Sequence, residues 1–182
     1  MIITNPDDLL AQVAAGFQSN CDADVIAEAA ELAEVEQARL RLVDRWLATT
    51  GPVSIWVVGL PVIHGSVVAA ESGLVVVRDV DENIWALGGG AVVGIVGLAA
   101  GLRDERPDPG RPVLTWSKFL RDLTGVLVRI YTTDAMTRSG ELVSVGADHL
   151  DLITGADGQA GRRITIAFTA LVAVQTPARR DG

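Results

Sequence analysis

The sequence of 182 residues predicts a mainly β fold with N-terminal α-structure: a helical arm followed by two tandem small barrels of five strands each. Two observations carry this prediction. Short β-branched runs separated by turn residues fill the chain after Gly51, and the same order of elements occurs twice. A hydrophobic content of 49% with 21% charged residues is that of a globular protein and excludes a disordered chain.

The first 50 residues are predicted to be helical. Asn5 and Pro6, followed by two aspartates, form a helix start, and a short helix extends to about Gln18. A longer helix is expected from Asp22 to Thr49. Its apolar face contains Val25, Leu32, Val35, Leu42 and Trp46. This face needs a partner surface, which could be the following domain, the first short helix or the same helix of a second chain.

Ten strands are predicted after Gly51, and a charged segment with three prolines separates them into two sets. The first set is Val53–Val58, Val62–Ala69, Leu74–Val80, Ile84–Leu87 and Val92–Val96. Thr115 is expected to cap a two-turn helix after the charged segment. The second set is Val126–Tyr131, Glu141–Val145, Leu150–Thr154, Arg163–Phe168 and Leu171–Gln175.

These elements predict five regions along the chain. They are an N-terminal helical region at 1–50, a first barrel at 51–98, a linker at 99–113, a second barrel with its leading helix at 114–176, and a tail at 177–182.

The two halves correspond element by element, which predicts a duplicated unit. Three pairs mark the correspondence at offsets of 75, 76 and 80 residues: Gly65 with Gly140, Leu74 with Leu150, and Ile84 with Ile164. The growing offset places the insertions in turns, chiefly in Gly155–Gly161, where extra residues are tolerated.

The repeated unit resembles the small barrel of the Sm-like family (LSm and Hfq type), an SH3-like design. The resemblance rests on Gly140 in the second strand and on Leu150-Asp151-Leu152 after the turn Gly146-Ala147-Asp148-His149. It is clearest over residues 115–176 and vaguer over 40–98. It implies assembly into rings, in which strand four of one copy pairs with strand five of the next, and binding of single-stranded RNA on loops around a pore.

The chain departs from the family between strands four and five. The family's Arg-Gly or Lys-His signature is replaced by Phe168–Leu171 in the second copy and by Leu87–Gly90 in the first. Because of this departure, the resemblance predicts RNA binding less strongly, but it still predicts the barrel fold. The layout also resembles a group of actinobacterial proteins often labelled Fis-family transcriptional regulators, although residues 126–176 read as strands without a recognition helix.

Charge and cysteine content narrow the function classes. The net charge of −8 disfavours a protein that coats polyanions, and the negative excess lies in residues 1–101, since residues 102–182 carry ten acidic and eleven basic residues. The single cysteine, Cys21, excludes an internal disulfide and fits a cytoplasmic location. The uncharged stretch from Asn83 to Leu102 has the length of a membrane span, but its six glycines favour strands, and we expect no membrane segment.

A candidate nucleic-acid site lies in the second barrel. Four arginines could contact a phosphate backbone and one tyrosine could stack on a base. These residues are Arg129, Arg138, Arg162, Arg163 and Tyr131. The alternative is that they are solvated strand residues. Arg179 and Arg180 in the tail would add to the same charge.

No catalytic, metal or cofactor site is predicted. His64 and His149 have no nucleophile or acid at a spacing that promises acid–base chemistry. Gly88–Gly90 lacks the following helix of a phosphate-binding loop and reads as a tight link between strands. The sequence therefore predicts a cytoplasmic, non-enzymatic interaction or assembly module, which binds copies of itself or a protein partner. The alternative is a regulator that binds RNA or DNA through the second barrel.

Overall fold

The computed structural model describes residues 40–100, 113–155 and 161–177, together with Glu28 and Ala38. The chain divides into two compact units, Met1–Leu40 and Arg41–Gly182. In the first unit Glu28 and Ala38 are helical and exposed. The predicted helix starts at Asn5 and Asp22, most of the predicted linker and the arginines of the tail lie outside the described residues.

Two helices lie in the described part of the second unit. Helix α1 is Leu42–Ala48, and its Val43 and Trp46 are buried. Helix α2 is Trp116–Arg121. The backbone N–H of Lys118 donates a hydrogen bond of 3.3 Å to Oγ1 of Thr115, which confirms the predicted cap.

All ten predicted strands are present. In the first half they are β1 Pro52–Val57, β2 Ile63–Glu71, β3 Leu74–Asp79, β4 Ile84–Gly88 and β5 Val92–Val96. In the second half they are β6 Leu127–Thr132, β7 Thr137–Val145, β8 His149–Thr154, β9 Arg162–Ala167 and β10 Leu171–Thr176. A single 3₁₀ turn joins the last two strands of each half: Gly89–Ala91 and Phe168–Ala170.

The strands form one open antiparallel sheet in the order β5-β1-β2-β3-β4-β10-β6-β7-β8-β9. The prediction of two separate closed barrels is therefore not confirmed. The reason is that β4, the last strand of one half in this order, pairs with β10, the first strand of the other. This pairing, which we call the internal joint, leaves β5 and β9 as the two edges.

The halves repeat each other in strand order and in register. Trp56 lies opposite Gly94 in the first half, as Tyr131 lies opposite Ala173 in the second. The second strand of each half carries a bulge at the same place, between Val67 and Ala69 and between Leu142 and Ser144. Equivalent residues are 75 positions apart in the first three strands of each half and 79 apart in the last two.

The sequence comparison was wrong by one residue at two of its three matches. In the sheet Leu74 corresponds to His149, not to Leu150, and Ile84 corresponds to Arg163. The physical reason is that Leu74–Val77 is buried on both faces, so no alternation of polar and apolar residues fixes its register.

Two apolar cores lie on opposite faces of the central strands. Val75, Val77 and Leu87 belong to the first core, which also contains α1 residues. Val76 and Ala86 point to the other face and belong to the second core, which α2 covers through Leu120. The internal joint is thus buried on both sides as well as paired along its backbone.

Gly65 and Gly140 occupy equivalent places and meet the same steric demand. A Cβ atom at Gly65 would collide with the carbonyl oxygen of Arg78, and one at Gly140 with that of Ile153. The second strand of each half therefore crosses the third too closely for any side chain at this position.

The uncharged stretch that begins at Asn83 is not a helix over its described part, because it forms β4, a 3₁₀ turn and β5. In the described part of the chain, no helix has the length and apolar character needed to cross a membrane.

Candidate functional site

The internal joint is an apolar contact with a defined register. Its four opposed pairs are Leu87 with Ala173, Ala86 with Val174, Trp85 with Gln175, and Ile84 with Thr176. Both strands are almost fully buried along this line. Burial of this kind is the main favourable contribution to association between sheet edges.

An aromatic contact crosses the joint, and hydrogen bonds within each half hold its two rings in place. The ring of Trp85 stacks on that of Tyr131 with centroids 5.5 Å apart. The hydroxyl of Tyr131 donates a hydrogen bond to Oε1 of Gln175 at 3.3 Å. The indole Nε1–H of Trp85 donates to Oδ2 of Asp79 at 2.8 Å, and the side-chain amide of Asn83 donates to the same oxygen at 2.9 Å.

These hydrogen bonds act on the ionisation of Asp79. Partial burial raises the pKa of its carboxyl, but the hydrogen bonds from Trp85 and Asn83 outweigh that effect and hold the pKa below its ordinary value. Asp79 is therefore a charged acceptor that fixes the orientation of the Trp85 ring at the joint.

The edge strand β5 corresponds to β10, but no strand of the described ranges pairs with its outer side. Val93 is 71% exposed, whereas Val172, its equivalent at the internal joint, is 3% exposed. Val96 is also exposed, at 61%. Trp56, the equivalent of Tyr131, lies beside this edge opposite Gly94 and is 42% exposed. Exposed apolar residues along an unpaired strand are a surface that favours pairing with another strand.

The edge strand β9 corresponds to β4, and in the part of the chain that the structure describes its outer side is likewise unpaired. Thr165 is exposed, whereas its equivalent Ala86 is fully buried. Ile164 stands at the position of Trp85 and is half-buried. This edge is more polar than β4, but it has the apolar Ile164 at the position that Trp85 occupies in the joint.

A carboxylate with two hydroxyl partners lies beside β9. Oδ2 of Asp151 accepts a hydrogen bond of 2.7 Å from Ser144, and Oδ1 accepts one of 2.6 Å from Thr165. The hydrogen bonds from Thr165 and then Ser144 lower the pKa of Asp151, so that it is charged at neutral pH. Its equivalent in the first half is Val76, which is buried on β3 opposite Ala86 of the internal joint.

The residues predicted to bind nucleic acid do not form one track. Arg129 and Tyr131 alternate with buried residues on β6 and share a face. Arg163 lies on that face too, but three strands away, about 14 Å along the sheet. Arg138 lies opposite Ile130 and therefore on the other face, and Arg162 is exposed at the start of β9.

Several of these side chains already have partners. Arg138 forms an ion pair with Asp134 at 2.9 Å, and this hydrogen bond, with one from Thr132, holds the pKa of Asp134 far below its ordinary value. Tyr131 is stacked in the internal joint. Arg163 lies 3.8 Å from Asp151. Nucleic-acid binding by this set stays a prediction.

The histidines have closer partners than the sequence suggested. Oγ of Ser54 and Nδ1 of His64 are 2.8 Å apart, because the two residues lie directly opposite each other on β1 and β2. Nδ1 of His149 lies 2.8 Å from a carboxylate oxygen of Asp148. Sequence spacing missed the Ser54–His64 contact, which only the strand register reveals. Within the described ranges, no three histidine, cysteine or acidic side chains cluster as metal ligands would.

Comparison with known proteins does not place the chain in a family. No protein-family model matches it, and no curated protein matches its sequence. The features that bear on function are therefore the edge strands β5 and β9 and their equivalence to the strands of the internal joint.

Proposed function

We propose that this protein is a cytoplasmic, non-enzymatic assembly module, in which edge β9 of one chain pairs with edge β5 of the next. Each half of the sheet would then be one Sm-like unit. The repeated strand order and the β4–β10 pairing support this view, because the family resemblance implies pairing of the fourth strand of one unit with the fifth strand of the next.

One observation carries the proposal. Two equivalent valines differ in exposure: Val172 is buried at the internal joint, whereas Val93 is exposed at the edge. The chain thus contains one formed β4–β10 contact. Its edge strands β9 and β5 are the equivalents of β4 and β10 and could form the same contact with other chains. A second chain supplies the missing half on each side.

The geometry of the contact determines the kind of assembly. Edges β5 and β9 are different surfaces, so their pairing is head-to-tail and every chain added leaves a new free edge. Such a series ends only by closing into a ring, and otherwise continues as a filament. We expect a closed ring with a fixed number of chains, in keeping with the resemblance.

The test is the solution mass of the full chain, measured by light scattering over a range of concentrations. We expect a defined multiple of 19.1 kDa. Val93→Lys places a charge on the β5 edge and is expected to lower the mass to that of one chain, since edge lysines block strand pairing.

Val113→Lys is the matched control. Val113 is 62% exposed but lies outside the sheet, so this change adds the same charge without touching either edge. A wild-type mass of one chain at every concentration, or a Val93→Lys variant that assembles as the wild type does, would contradict the proposal.

Nucleic-acid binding is the second candidate function. It is favoured by Arg129 and Arg163, which lie on one face of the second half of the sheet. If it is correct, single-stranded RNA or DNA binds tightly, the affinity falls steeply with salt, and the double variant Arg162→Ala with Arg163→Ala loses binding. Absence of binding at low salt, with a defined oligomer in the same sample, excludes it.

A further inference from the structure

A groove of about 670 Å³ lies beside the free edge β5. The hydrogen-bonded side chains of Ser54 and His64 and the exposed side chain of Val96 line it. Asp79 and Glu82 from the β3–β4 region lie on another wall. The Asp79 carboxylate is hydrogen-bonded to Trp85 and Asn83, so Glu82 is the residue that supplies a carboxylate to this groove.

A second groove, of about 410 Å³, occupies the corresponding place in the second half. Five of its lining residues are the equivalents of Pro52, Val53, Ser54, His64 and Val96: they are Leu127, Val128, Arg129, Ser139 and Gln175. The second groove differs in having a wall from across the internal joint, namely Asn83, which precedes β4. The second groove is therefore an equivalent of the first groove in which the residue before a paired β4 forms one wall.

The residue that corresponds to Asn83 in the second half is Arg162. Asn83 pairs with Asp79 through a backbone hydrogen bond, and Arg162 lies opposite Thr154, the equivalent of Asp79. We propose that the groove beside β5 binds the Arg162 side chain of a second copy of this chain. This inference rests on the proposed assembly and identifies the group that fills the groove.

Charge supports this occupant. Oε2 of Glu82 lies 3.6 Å from Nη1 of Arg78 at the groove, and the Glu82 side chain is 68% exposed. Within the described ranges, Arg162 takes part in no ion pair. Because Glu82 is exposed, it can accept a second guanidinium beside Arg78, and head-to-tail pairing brings one Arg162 to every groove.

The experiment is a charge swap in the full chain, with the assembly constant measured by analytical ultracentrifugation. Arg162→Glu replaces attraction by repulsion, and we expect assembly to weaken by about tenfold at low salt. Adding Glu82→Arg to the same chain restores the attraction with reversed signs and is expected to recover most of the loss. Arg121→Glu, an equal charge change on α2, is the control and leaves assembly unchanged.

The outcomes separate this inference from the assembly itself. If the wild type assembles, and Arg162→Glu assembles equally well with an unchanged urea midpoint, the groove does not bind Arg162 although the edges still pair. If Glu82→Arg fails to rescue Arg162→Glu, the arginine acts elsewhere and the inference is overturned. If the wild type stays a single chain, the proposed assembly fails, and this inference fails with it.

Discussion

Trp85 and Tyr131 stack 5.5 Å apart although they belong to different halves of the duplicated sheet, and their contact spans the internal joint. Trp56 occupies the place of Tyr131 in the first half but stands exposed beside the free edge. Two aromatic residues in equivalent positions thus have different surroundings, one inside a formed joint and one beside an open edge.

This difference predicts that two tryptophan variants affect different properties, namely stability for Trp85→Ala and assembly for Trp56→Ala. Trp85→Ala removes a buried ring from the joint and is expected to lower the free energy of unfolding by about 3–5 kcal/mol. Trp56→Ala is expected to change it by about 1 kcal/mol or less, while weakening assembly by about tenfold or more. Urea unfolding and sedimentation on the same samples measure both effects. Assembly of the Trp56→Ala variant as strong as that of the wild type would show that Trp56 is not an assembly residue.

The second-strand glycines predict a sharp steric effect. Gly65→Ala and Gly140→Ala each drive a Cβ into a backbone carbonyl of the third strand, and we expect each to cost about 1–3 kcal/mol of stability. Gly73→Ala is the control, because a Cβ there meets nothing within 4 Å. Thermal unfolding provides the measurement, and variants as stable as the wild type would mean that the strands cross less closely.

The polar residues beside β9 predict a gain of function. Asp151→Val with Thr165→Ala copies Ala86 of the internal joint and its β3 neighbour Val76 into β9 and β8. Because a charged carboxylate resists burial, its replacement is expected to strengthen assembly by about tenfold. Asp122→Val with Thr124→Ala makes the same changes at exposed positions next to α2 and is expected to leave assembly unchanged. Weaker assembly of the Asp151 and Thr165 double variant would contradict the equivalence of the two joints.

Asp79 predicts an acid-sensitive joint. Its folded pKa lies below the ordinary value of 3.8, so its contribution to stability is present above that pH and is lost as the pH falls through the folded value. The Asp79→Ala variant is expected to be less stable than the wild type at pH 7, and the difference is expected to shrink below about pH 4. Urea titrations at several pH values measure it. A difference that does not depend on pH would remove the role given to the carboxylate.

The sequence was sufficient to predict the strands, because most of them are short β-branched runs between turn residues. It placed β5 at Val92–Val96, as observed. It placed the start of β7 four residues late, since Thr137, Arg138 and Ser139 are polar and carry no apolar alternation. Local patterns of this kind depend on neighbours in the chain, which a single sequence displays directly.

The joint and the edges could not be predicted in the same way. Which strand pairs with β4 depends on contacts between residues about 90 positions apart, such as Ile84 and Thr176. The contact of Ser54 with His64 likewise depends on register rather than on spacing. The duplication was visible, but Leu74 was matched one residue out of register because both faces of β3 are buried.

Disulfide crosslinking tests the pairing of β5 with β9 most directly. In the register of the internal joint, Val96 lies opposite Ile164 of a second chain, as Gln175 lies opposite Trp85. In a Cys21→Ser background, a mixture of Val96→Cys and Ile164→Cys chains is predicted to form disulfide-linked dimers under mild oxidation, since opposed residues have Cβ atoms about 4.5–5.5 Å apart. A mixture of Val96→Cys and Ile166→Cys chains, displaced by two residues, is predicted to crosslink far less. No crosslinking in either mixture, or equal crosslinking in both, would contradict the pairing.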